Sequence, residues 1–447
     1  MTWAVFLLVA IGLLLALLFA GVRIFAAFLA LNLVGLTLLL GPRGFGLFSN
    51  SIYETATSQS LMTVALFVLM GEVLFRSGTV AVLFDSIDRL VGRLRGRLYV
   101  VTIALSTVFG ALSGSAVAVA AMLGRSVLPL MQERGYDTRL SAGTILAGAS
   151  LAPIIPPSLL AIIVGSLADV SIAGLLVAGI VPGILFASLT LGWVLLSGDS
   201  AATRPSAPPP GIPASDVPAS GVPVSGTGLS VPLAIARMLP FLIVVFSVMG
   251  LILLGIATPS EAAATGVVGA VIVAALFGRL SVRMLGDAVA SAVTISGVIL
   301  VIVCSAKLFS QLLSLAGATR GLVALTGELG LGPDFTLLLM MLIPFLLCMF
   351  IDQIAFMLLA VPIYQPVVAA MGYDPIWFWT LFLIILTVGS LTPPFGYTLF
   401  ALRGANPSLS TARVFSAAWP VVGIFLAGML ILWAVPALVT TIPALLK

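Results

Sequence analysis

The fold of this chain is decided by a small, polar interruption in an otherwise apolar stretch, Gly110-Ala111-Leu112-Ser113-Gly114-Ser115-Ala116. The apolar arms on either side, 98–112 and 116–130, have 15 residues each, so each spans about 22 Å as a helix. That length is shorter than the roughly 30 Å hydrocarbon core of a bilayer. Arginines flank the outer ends of both arms, which puts both ends on one side of the membrane. The segment therefore predicts a re-entrant helical hairpin whose Ser-Gly-Ser tip lies inside the bilayer.

The composition of the whole chain favours a membrane protein. Of its 447 residues, 61% are hydrophobic and 8% are charged, whereas a soluble globular chain carries about a quarter charged residues. Apolar runs of roughly 20 residues, long enough to cross a bilayer, recur from end to end. The net charge of +4 is small and spread over short loops, so it does not suggest a nucleic-acid partner. We predict an all-α, multi-pass membrane protein whose surroundings are lipid.

The chemistry-bearing residue types argue against an enzyme. Histidine is absent, which excludes imidazole metal sites, Ser/His catalysis and histidine proton relays. Cys304 and Cys348 lie in apolar runs without the spacing of metal ligands. We therefore predict no catalytic residue and no cofactor.

An internal repeat divides the chain into two halves. Gly135-Tyr136-Asp137 recurs as Gly372-Tyr373-Asp374, at an offset of 237 residues, and Pro156-Pro157 recurs as Pro393-Pro394 at the same offset. Several matches at one offset indicate a duplication rather than chance. Each half should therefore contain the same structural elements.

The charges of the two copies differ in a way that predicts opposite orientation. Segment 85–139 contains seven arginines, whereas its counterpart, 322–376, contains no Lys or Arg. Short loops rich in Lys and Arg stay in the cytoplasm, so the copies should form inverted repeats, as in secondary transporters. Lys307 and Arg320 do not fit this distribution, and we expect them to line protein or water.

The second repeated element is a helix interrupted by paired prolines, at 149–158 and again at 387–394. Each Pro-Pro pair removes two backbone donors, so the helix must break there. The freed carbonyls, with nearby hydroxyls, suit a small hard cation, and the N-terminus of the following half-helix suits a carboxylate. The alternative is a pair of proline kinks without ligands. The hairpin tip and the breaks give a candidate substrate-binding set consisting of Ser115, Pro156, Pro157, Ser158, Pro393 and Pro394.

A single carboxylate marks the second hairpin. Asp352 falls at the position that Ser115 occupies in the first hairpin. A carboxylate at that depth costs roughly 2.5–3.5 kcal/mol on insertion scales, so it is functional by default. The alternative is that Asp352 only caps the second arm of the hairpin.

These elements divide the chain into scaffold and transport segments. The predicted boundaries are scaffold helices at 1–97; transport elements of the first repeat at 98–168, with the hairpin at 98–131 and the broken helix at 141–167; a scaffold helix at 169–196; a flexible Pro/Ser/Gly-rich linker at 197–231; scaffold helices at 232–334; transport elements of the second repeat at 335–404, with the hairpin at 335–370 and the broken helix at 377–402; and a C-terminal helix at 405–447. No function is assigned to the linker, which reads as a tether.

The chain resembles the large membrane subunit of tripartite ATP-independent periplasmic transporters. The resemblance spans roughly residues 55–445. The motifs that carry it are Phe109–Ala116, Gly135-Tyr136, Ile154–Ser158, Gly255–Ala263, Leu391–Gly396 and Leu402-Arg403-Gly404 with Pro407.

The resemblance implies an elevator-type secondary transporter in the bacterial inner membrane, driven by a sodium gradient. It implies a small four-helix membrane subunit, here a separate chain, and a periplasmic binding protein that delivers a small carboxylate. Family sodium sites lie at the hairpin tips and helix breaks. Carried over to this sequence, they fall on Ser113, Gly114, Ser115, Ser150, Asp352, Thr387, Gly389 and Thr392.

Two features depart from the family pattern. The common Ser-Ser after the tip glycine is Ser115-Ala116 here, which removes one hydroxyl, and the linker exceeds the usual short loop. A stand-alone sodium-coupled carboxylate carrier is the alternative function. A membrane enzyme or a channel fits less well, because catalytic side chains are lacking and the hairpin tips would plug a pore.

Overall fold

The computed structural model describes residues 2–78, 80–91, 96–197, 230–328, 330 and 332–445. The described part contains 21 α-helices, one 3-10 helix (Gly41–Arg43) and no strand, which confirms the all-α prediction. Most of the predicted linker, 198–229, lies outside the described residues.

The helices follow one another with short connections. They are α1 (Trp3–Phe19), α2 (Ile24–Leu40), α3 (Gly44–Ala56), α4 (Gln59–Arg76), α5 (Val80–Val91), α6 (Arg97–Ser113), α7 (Ala116–Glu133), α8 (Thr138–Leu151), α9 (Leu159–Leu167), α10 (Ile172–Ala178), α11 (Ile180–Leu196), α12 (Val231–Leu253), α13 (Pro259–Leu276), α14 (Val282–Leu315), α15 (Ala318–Glu328), α16 (Pro333–Leu347), α17 (Gln353–Met371), α18 (Pro375–Leu391), α19 (Tyr397–Ala405), α20 (Thr411–Ala434) and α21 (Ala437–Ala444).

Eight helical segments within the described residues are long and apolar enough to cross a bilayer. The longest single helix among them is α14, with 34 residues. Shorter apolar helices, including α6, α16 and α18, have 17 residues or fewer. The chain is therefore a multi-pass membrane protein whose short helices need partners to complete a path across the bilayer.

Both predicted hairpins and both broken helices are present. Helices α6 and α7 form the first hairpin and α16 and α17 the second. Each is followed by a helix that stops and restarts within a few residues, α8 before α9 and α18 before α19. Both Pro-Pro peptide bonds in these breaks are cis.

The repeat extends beyond the motifs that revealed it. Adding the offset of 237 to the bounds of α7 gives 353–370, which coincides with α17. The same offset carries α5 onto α15, α6 onto α16, α8 onto α18 and α9 onto α19, within three residues at each end. The two halves thus share one order of elements, which confirms the duplicated architecture.

The repeated Gly-Tyr-Asp motif joins each hairpin to its broken helix. Gly135 and Gly372 adopt φ values of +75° and +70°, a left-handed conformation that glycine adopts without steric cost. Two residues later an aspartate caps the next helix, since Asp137 accepts from the Leu140 amide at 2.7 Å and Asp374 from the Trp377 amide at 2.9 Å. The motif is therefore structural in both copies.

The helices form two bundles. The scaffold bundle consists of α1–α4 and α12–α14, in which α4 packs along α13 and α14. The transport bundle consists of α6–α11 and α16–α21, centred on the nearly fully buried helices α8 and α18. Helices α5 and α15 connect the bundles. Two features differ from the expected segments. Segment 169–196, predicted as one scaffold helix, forms α10 and α11, which pack in the transport bundle, and α5 and α15, predicted as scaffold, contact both bundles. Apolar patterning shows that a helix is buried but not which neighbour buries it.

Candidate functional site

The tip of the first hairpin is a tight reversal closed by two serines. Helix α6 ends at Ser113, and Gly114 follows with φ +60°. The Ser115 amide lies 3.4 Å from Ser113 Oγ, and Ser115 Oγ caps α7 by accepting from the Ala118 amide at 3.3 Å. The predicted ion-binding residues of this tip therefore lie within one turn of each other.

The tip of the second hairpin also ends in a side-chain cap, with a carboxylate in place of the serine, but the connection is longer and covers residues 348–352. Asp352 caps α17 through Oδ1, which accepts from the amides of Ile354 at 2.9 Å and Ala355 at 3.3 Å. Capping, the alternative role of Asp352, is thus observed. Both bonds use one carboxylate oxygen, so the second remains available for another ligand.

The first hairpin tip lies directly against the first helix break. A methyl group added at Gly114 would lie 3.0 Å from Leu159 Cβ, at the start of α9. One turn earlier, a methyl group at Gly110 would lie 2.8 Å from the Cα atom of Ala152. A cavity of about 20 Å³ remains between the tip and the break, lined by Ala111, Ser113, Gly114, Pro157, Leu159 and three α4 residues, Phe67, Val68 and Met70. That volume suits a single small species such as a water molecule or an ion.

The second hairpin and the second break are in the same relation. A methyl group at Gly389 would lie 2.6 Å from Cys348 Cβ and 2.9 Å from the Phe345 carbonyl oxygen. Residues 152 and 389 are equivalent under the repeat, so a close approach between hairpin and broken helix occurs at the same point in both halves. On the far side of this tip, Gln353 Nε2 lies 3.5 Å from Ser390 Oγ. Each tip is therefore packed against the break of its own repeat.

The three predicted hydroxyl ligands of the broken helices are buried and point back along their own helices. Ser150 donates to the Leu146 carbonyl at 2.9 Å, Thr387 to the Leu383 carbonyl at 2.9 Å and Thr392 to the Val388 carbonyl at 2.6 Å. A hydroxyl that donates its proton keeps its lone pairs. These oxygens can therefore still accept a cation.

The two breaks differ in exposure. Pro156 and Pro157 are buried, whereas Pro394 is exposed on the protein surface. Ser158 is buried, and its Oγ donates to the Pro153 carbonyl at 2.5 Å and accepts from the Ala161 amide at 3.2 Å. The candidate substrate contacts are therefore accessible only at the second break, and Ser158 acts as the cap of α9.

An open cavity of about 610 Å³ reaches the second hairpin tip. Asp352, Phe350 and Ala355 form the hairpin side, and α14 forms a second wall. Arg23, in the loop between α1 and α2, lines the same cavity, although no ion pair within 4.0 Å joins it to Asp352. The cavity brings a cation and a carboxylate, from opposite bundles, to one solvent-accessible space.

Four residues beside the second site are not among the binding residues predicted from the sequence. Gln353 is buried, and its Oε1 has no hydrogen-bond partner within the described part of the chain. Tyr397 is close enough to hydrogen-bond with Gln353 and Ser390. Phe350 packs on Phe395 with ring centroids 5.5 Å apart, although both rings are more than half exposed. The signal for Gln353 was its position beside Asp352 in an apolar run. No sequence signal indicated that Phe350 and Phe395 pack together, because they lie in two distant segments of the chain.

The fold of this chain is similar to that of a solved transporter. The solved structure of the Alcanivorax borkumensis YdaH transporter matches with a TM-score of 0.61 at 16% identity, covering 89% of each chain. At that identity the match shows the fold alone.

Two sequence relatives match over most of their length. The ectoine/5-hydroxyectoine TRAP transporter large permease protein UehC of Ruegeria pomeroyi is 29% identical, covering 76% of each chain. The C4-dicarboxylate TRAP transporter large permease protein DctM of Pseudomonas aeruginosa is 27% identical, covering 91% of each chain.

A family model for the DctM component of tripartite ATP-independent periplasmic transporters matches residues 6–438. Its members are transporters, which confirms that the chain is not an enzyme. The match covers nearly the whole chain, including both hairpins and both broken helices. The chain therefore belongs to the DctM family, the large membrane subunits of tripartite ATP-independent periplasmic transporters.

Proposed function

We propose that this chain carries a small carboxylate into the cell across the bacterial inner membrane, driven by Na⁺. The observation that carries the proposal is the contact of each hairpin tip with the helix break of its own repeat. Backbone at membrane depth is stable without helical pairing only where protein or a wet cavity surrounds it. In secondary transporters, ion and substrate sites usually lie where helices are interrupted inside the membrane in both copies of an inverted repeat.

The first Na⁺ ion binds at the tip of the first hairpin. Its ligands are oxygens of Ser113, Gly114 and Ser115, with Ser150 from the broken helix. The cavity of about 20 Å³ beside this tip supports the part of the site at Ser113 and Gly114, which line it, because it has room for one small species.

The second Na⁺ ion binds at the equivalent point of the other half. Its ligands come from Asp352, Thr387, Gly389 and Thr392. The uncapped oxygen of Asp352 adds a full negative charge to this site, which favours a cation in a medium of low dielectric constant. The absence of a hydroxyl at Ala116 makes the first site the weaker of the two.

The carboxylate binds beside the second break, which does not itself line the cavity of about 610 Å³ at the second tip. Pro393 and Pro394 precede the N-terminus of α19, whose partial positive charge and free amides attract an anion. The first break is buried, so Pro156 and Pro157 pack within the protein. Ser158 caps α9 there. The named relatives differ in their solute, so the proposal extends only to the carboxylate class.

Movement of the transport bundle against the scaffold bundle exposes the sites to the two sides in turn. A periplasmic binding protein delivers the solute, and a small membrane subunit completes the assembly. Both partners are proposed from the tripartite family.

Uptake by the purified assembly tests the coupling. The chain and its small subunit are reconstituted in proteoliposomes, with the binding protein and a labelled solute outside. The solute is chosen as the best stabiliser of the binding protein in a thermal-shift screen of small organic acids. We expect uptake only with an inward Na⁺ gradient and no dependence on ATP. Equal uptake from K⁺ medium at the same membrane potential would disprove sodium coupling.

The same vesicles distinguish the proposed function from the alternative of a stand-alone carrier. Omitting the binding protein should abolish uptake of the free solute at micromolar concentration. Undiminished uptake without the binding protein would favour the stand-alone carrier.

A further inference from the structure

A second polar cavity, of about 450 Å³, lies between the two bundles. We call it the Lys307 cavity. The scaffold bundle contributes Ser60 and Thr63 from α4, Ser260 from α13 and Lys307 from α14. The transport bundle contributes Ser166 from α9 and Asp169 from the loop that follows. It shares no lining residue with the cavity at Asp352.

Lys307 is a cation that the charge distribution of the loops does not explain. Its side chain is half-buried in the last third of the 34-residue helix α14. No carboxylate oxygen of the described residues lies within 4.0 Å of its amino group. Asp169 lines the same cavity, yet it is exposed and does not pair with Lys307. An unpaired ammonium group inside a membrane helix is costly, and such groups commonly serve ligand binding.

The cavity lies on the periplasmic side in the proposed orientation. Arg134 and Arg139 flank the start of α8, which is therefore cytoplasmic. The broken helix α8–α9 crosses the membrane once, so Asp169, just after α9, lies at the opposite face. The start of α13, which also lines the cavity, lies at the same face.

Two of the hydroxyls around Lys307 are paired within the protein, whereas Lys307 has no ion-pair partner among the described residues. Thr63 Oγ1 and Ser260 Oγ lie 2.5 Å apart, so these two hydroxyls already pair with each other. Lys307 keeps three N–H donors for a ligand. The volume is within the range of pockets for small molecules, roughly 300–1,000 Å³.

We propose that the Lys307 cavity is an anion-capture site, where a carboxylate released on the periplasmic side first binds before it reaches the hairpin tips. This inference rests on the proposed function. Lys307 supplies the attraction, and Asp169 weakens it by its opposite charge. Removing Lys307 should therefore weaken capture, and neutralising Asp169 should strengthen it.

A charge-selective thiol probe tests the potential of the cavity without relying on transport. Ser60→Cys is introduced with Cys304→Ala and Cys348→Ala, and its modification rate is measured with an anionic and with a cationic methanethiosulfonate reagent. We expect Lys307→Gln to lower the anionic-to-cationic rate ratio severalfold, Asp169→Asn to raise it and Lys307→Arg to preserve it. Arg320→Gln is the matched control, because Arg320 is exposed on the same side and does not line the cavity. A ratio that Lys307→Gln leaves unchanged would overturn the inference.

Ligand protection and uptake extend the test. Sodium succinate should slow the modification of Ser60→Cys in the Lys307 background and not in Lys307→Gln, whereas uncharged succinamide should slow neither. In proteoliposomes, Lys307→Gln should raise the concentration of loaded binding protein needed for half-maximal uptake severalfold. If the unmodified chain shows no sodium-driven uptake, the proposed function fails while the labelling still reports on the cavity. If succinate gives no protection in the presence of Lys307, the capture site is refuted even when uptake is normal.

Discussion

At the scale of single residues, the two hairpin tips differ by one charge. Ser115 and Asp352 occupy equivalent positions and both cap the second arm of their hairpin. A serine is sufficient for that task, since the capping preferences of serine and aspartate are similar. Capping alone therefore does not explain why position 352 carries a carboxylate, whereas the proposed binding of a cation would explain it.

We predict that Asp352→Asn weakens sodium binding while the fold is retained. Asparagine keeps a carbonyl oxygen for the cap but removes the charge that holds Na⁺. Uptake at limiting Na⁺ should fall at least about tenfold, which corresponds to about 1.4 kcal/mol, and the half-saturating Na⁺ concentration should rise. Asp374→Asn is the control, because Asp374 caps α18 in the same way outside the site. Wild-type sodium dependence in Asp352→Asn would remove Asp352 from the ion site.

Gly389 has a packing role besides its predicted ion contact. Because an added methyl group would lie 2.9 Å from the fixed Phe345 carbonyl, Gly389→Ala must separate α18 from the hairpin. We expect a loss of stability of about 1–3 kcal/mol, measured by thermal unfolding in detergent. Gly404→Ala in α19 is the matched control, because nothing lies within 4 Å of its added methyl group. Equal melting temperatures for the two variants would contradict the close approach.

At the scale of elements, the hairpins and the helix breaks could be predicted from the sequence, whereas their long-range contacts could not. Short apolar arms, flanking charges and paired prolines are local signals, and they predicted both hairpins and both breaks. Contacts between distant segments leave no local signal. The Phe350–Phe395 pair, the grouping of α11 with the transport bundle and the ring of polar residues around Lys307 therefore needed the structure. The ion ligands themselves remain predictions.

The function of the second helix break should depend on the two backbone N–H donors that its prolines lack. Replacing Pro393 and Pro394 together by alanine restores two amides and lets α18 propagate toward α19. We expect loss of sodium-driven uptake, because the carbonyls and the half-helix N-terminus at the site become paired, with expression and detergent stability retained. Pro420→Ala, inside α20, is the control and should transport normally. Normal uptake by the double alanine variant would show that the break is only a kink.

At the scale of the whole molecule, two bundles are joined by few chain connections. The chain passes between them through α5, through the segment before α12 and through α15. Helices α5 and α15 are equivalent under the repeat, so each half has one such arm. Arg97 at the base of the first hairpin pairs with Asp88 of α5 at 2.5 Å. Helix α5 also packs against α12 of the scaffold bundle, so it contacts both bundles.

If transport requires one bundle to move against the other, a bond between them must stop it. Val68 on α4 and Leu159 on α9 belong to opposite bundles and line the same cavity of about 20 Å³. In a background with Cys304→Ala and Cys348→Ala, oxidation of Val68→Cys with Leu159→Cys should abolish sodium-driven uptake, and a reducing agent should restore it. The control is Met70→Cys with Gly266→Cys, which joins α4 to α13 within the scaffold bundle, where a methyl group at Gly266 would lie 2.6 Å from Met70 Sδ. That bond should leave uptake intact, because both helices belong to one rigid unit. Full uptake through a protein cross-linked between α4 and α9 would mean that the sites open to the two sides without relative movement of the bundles.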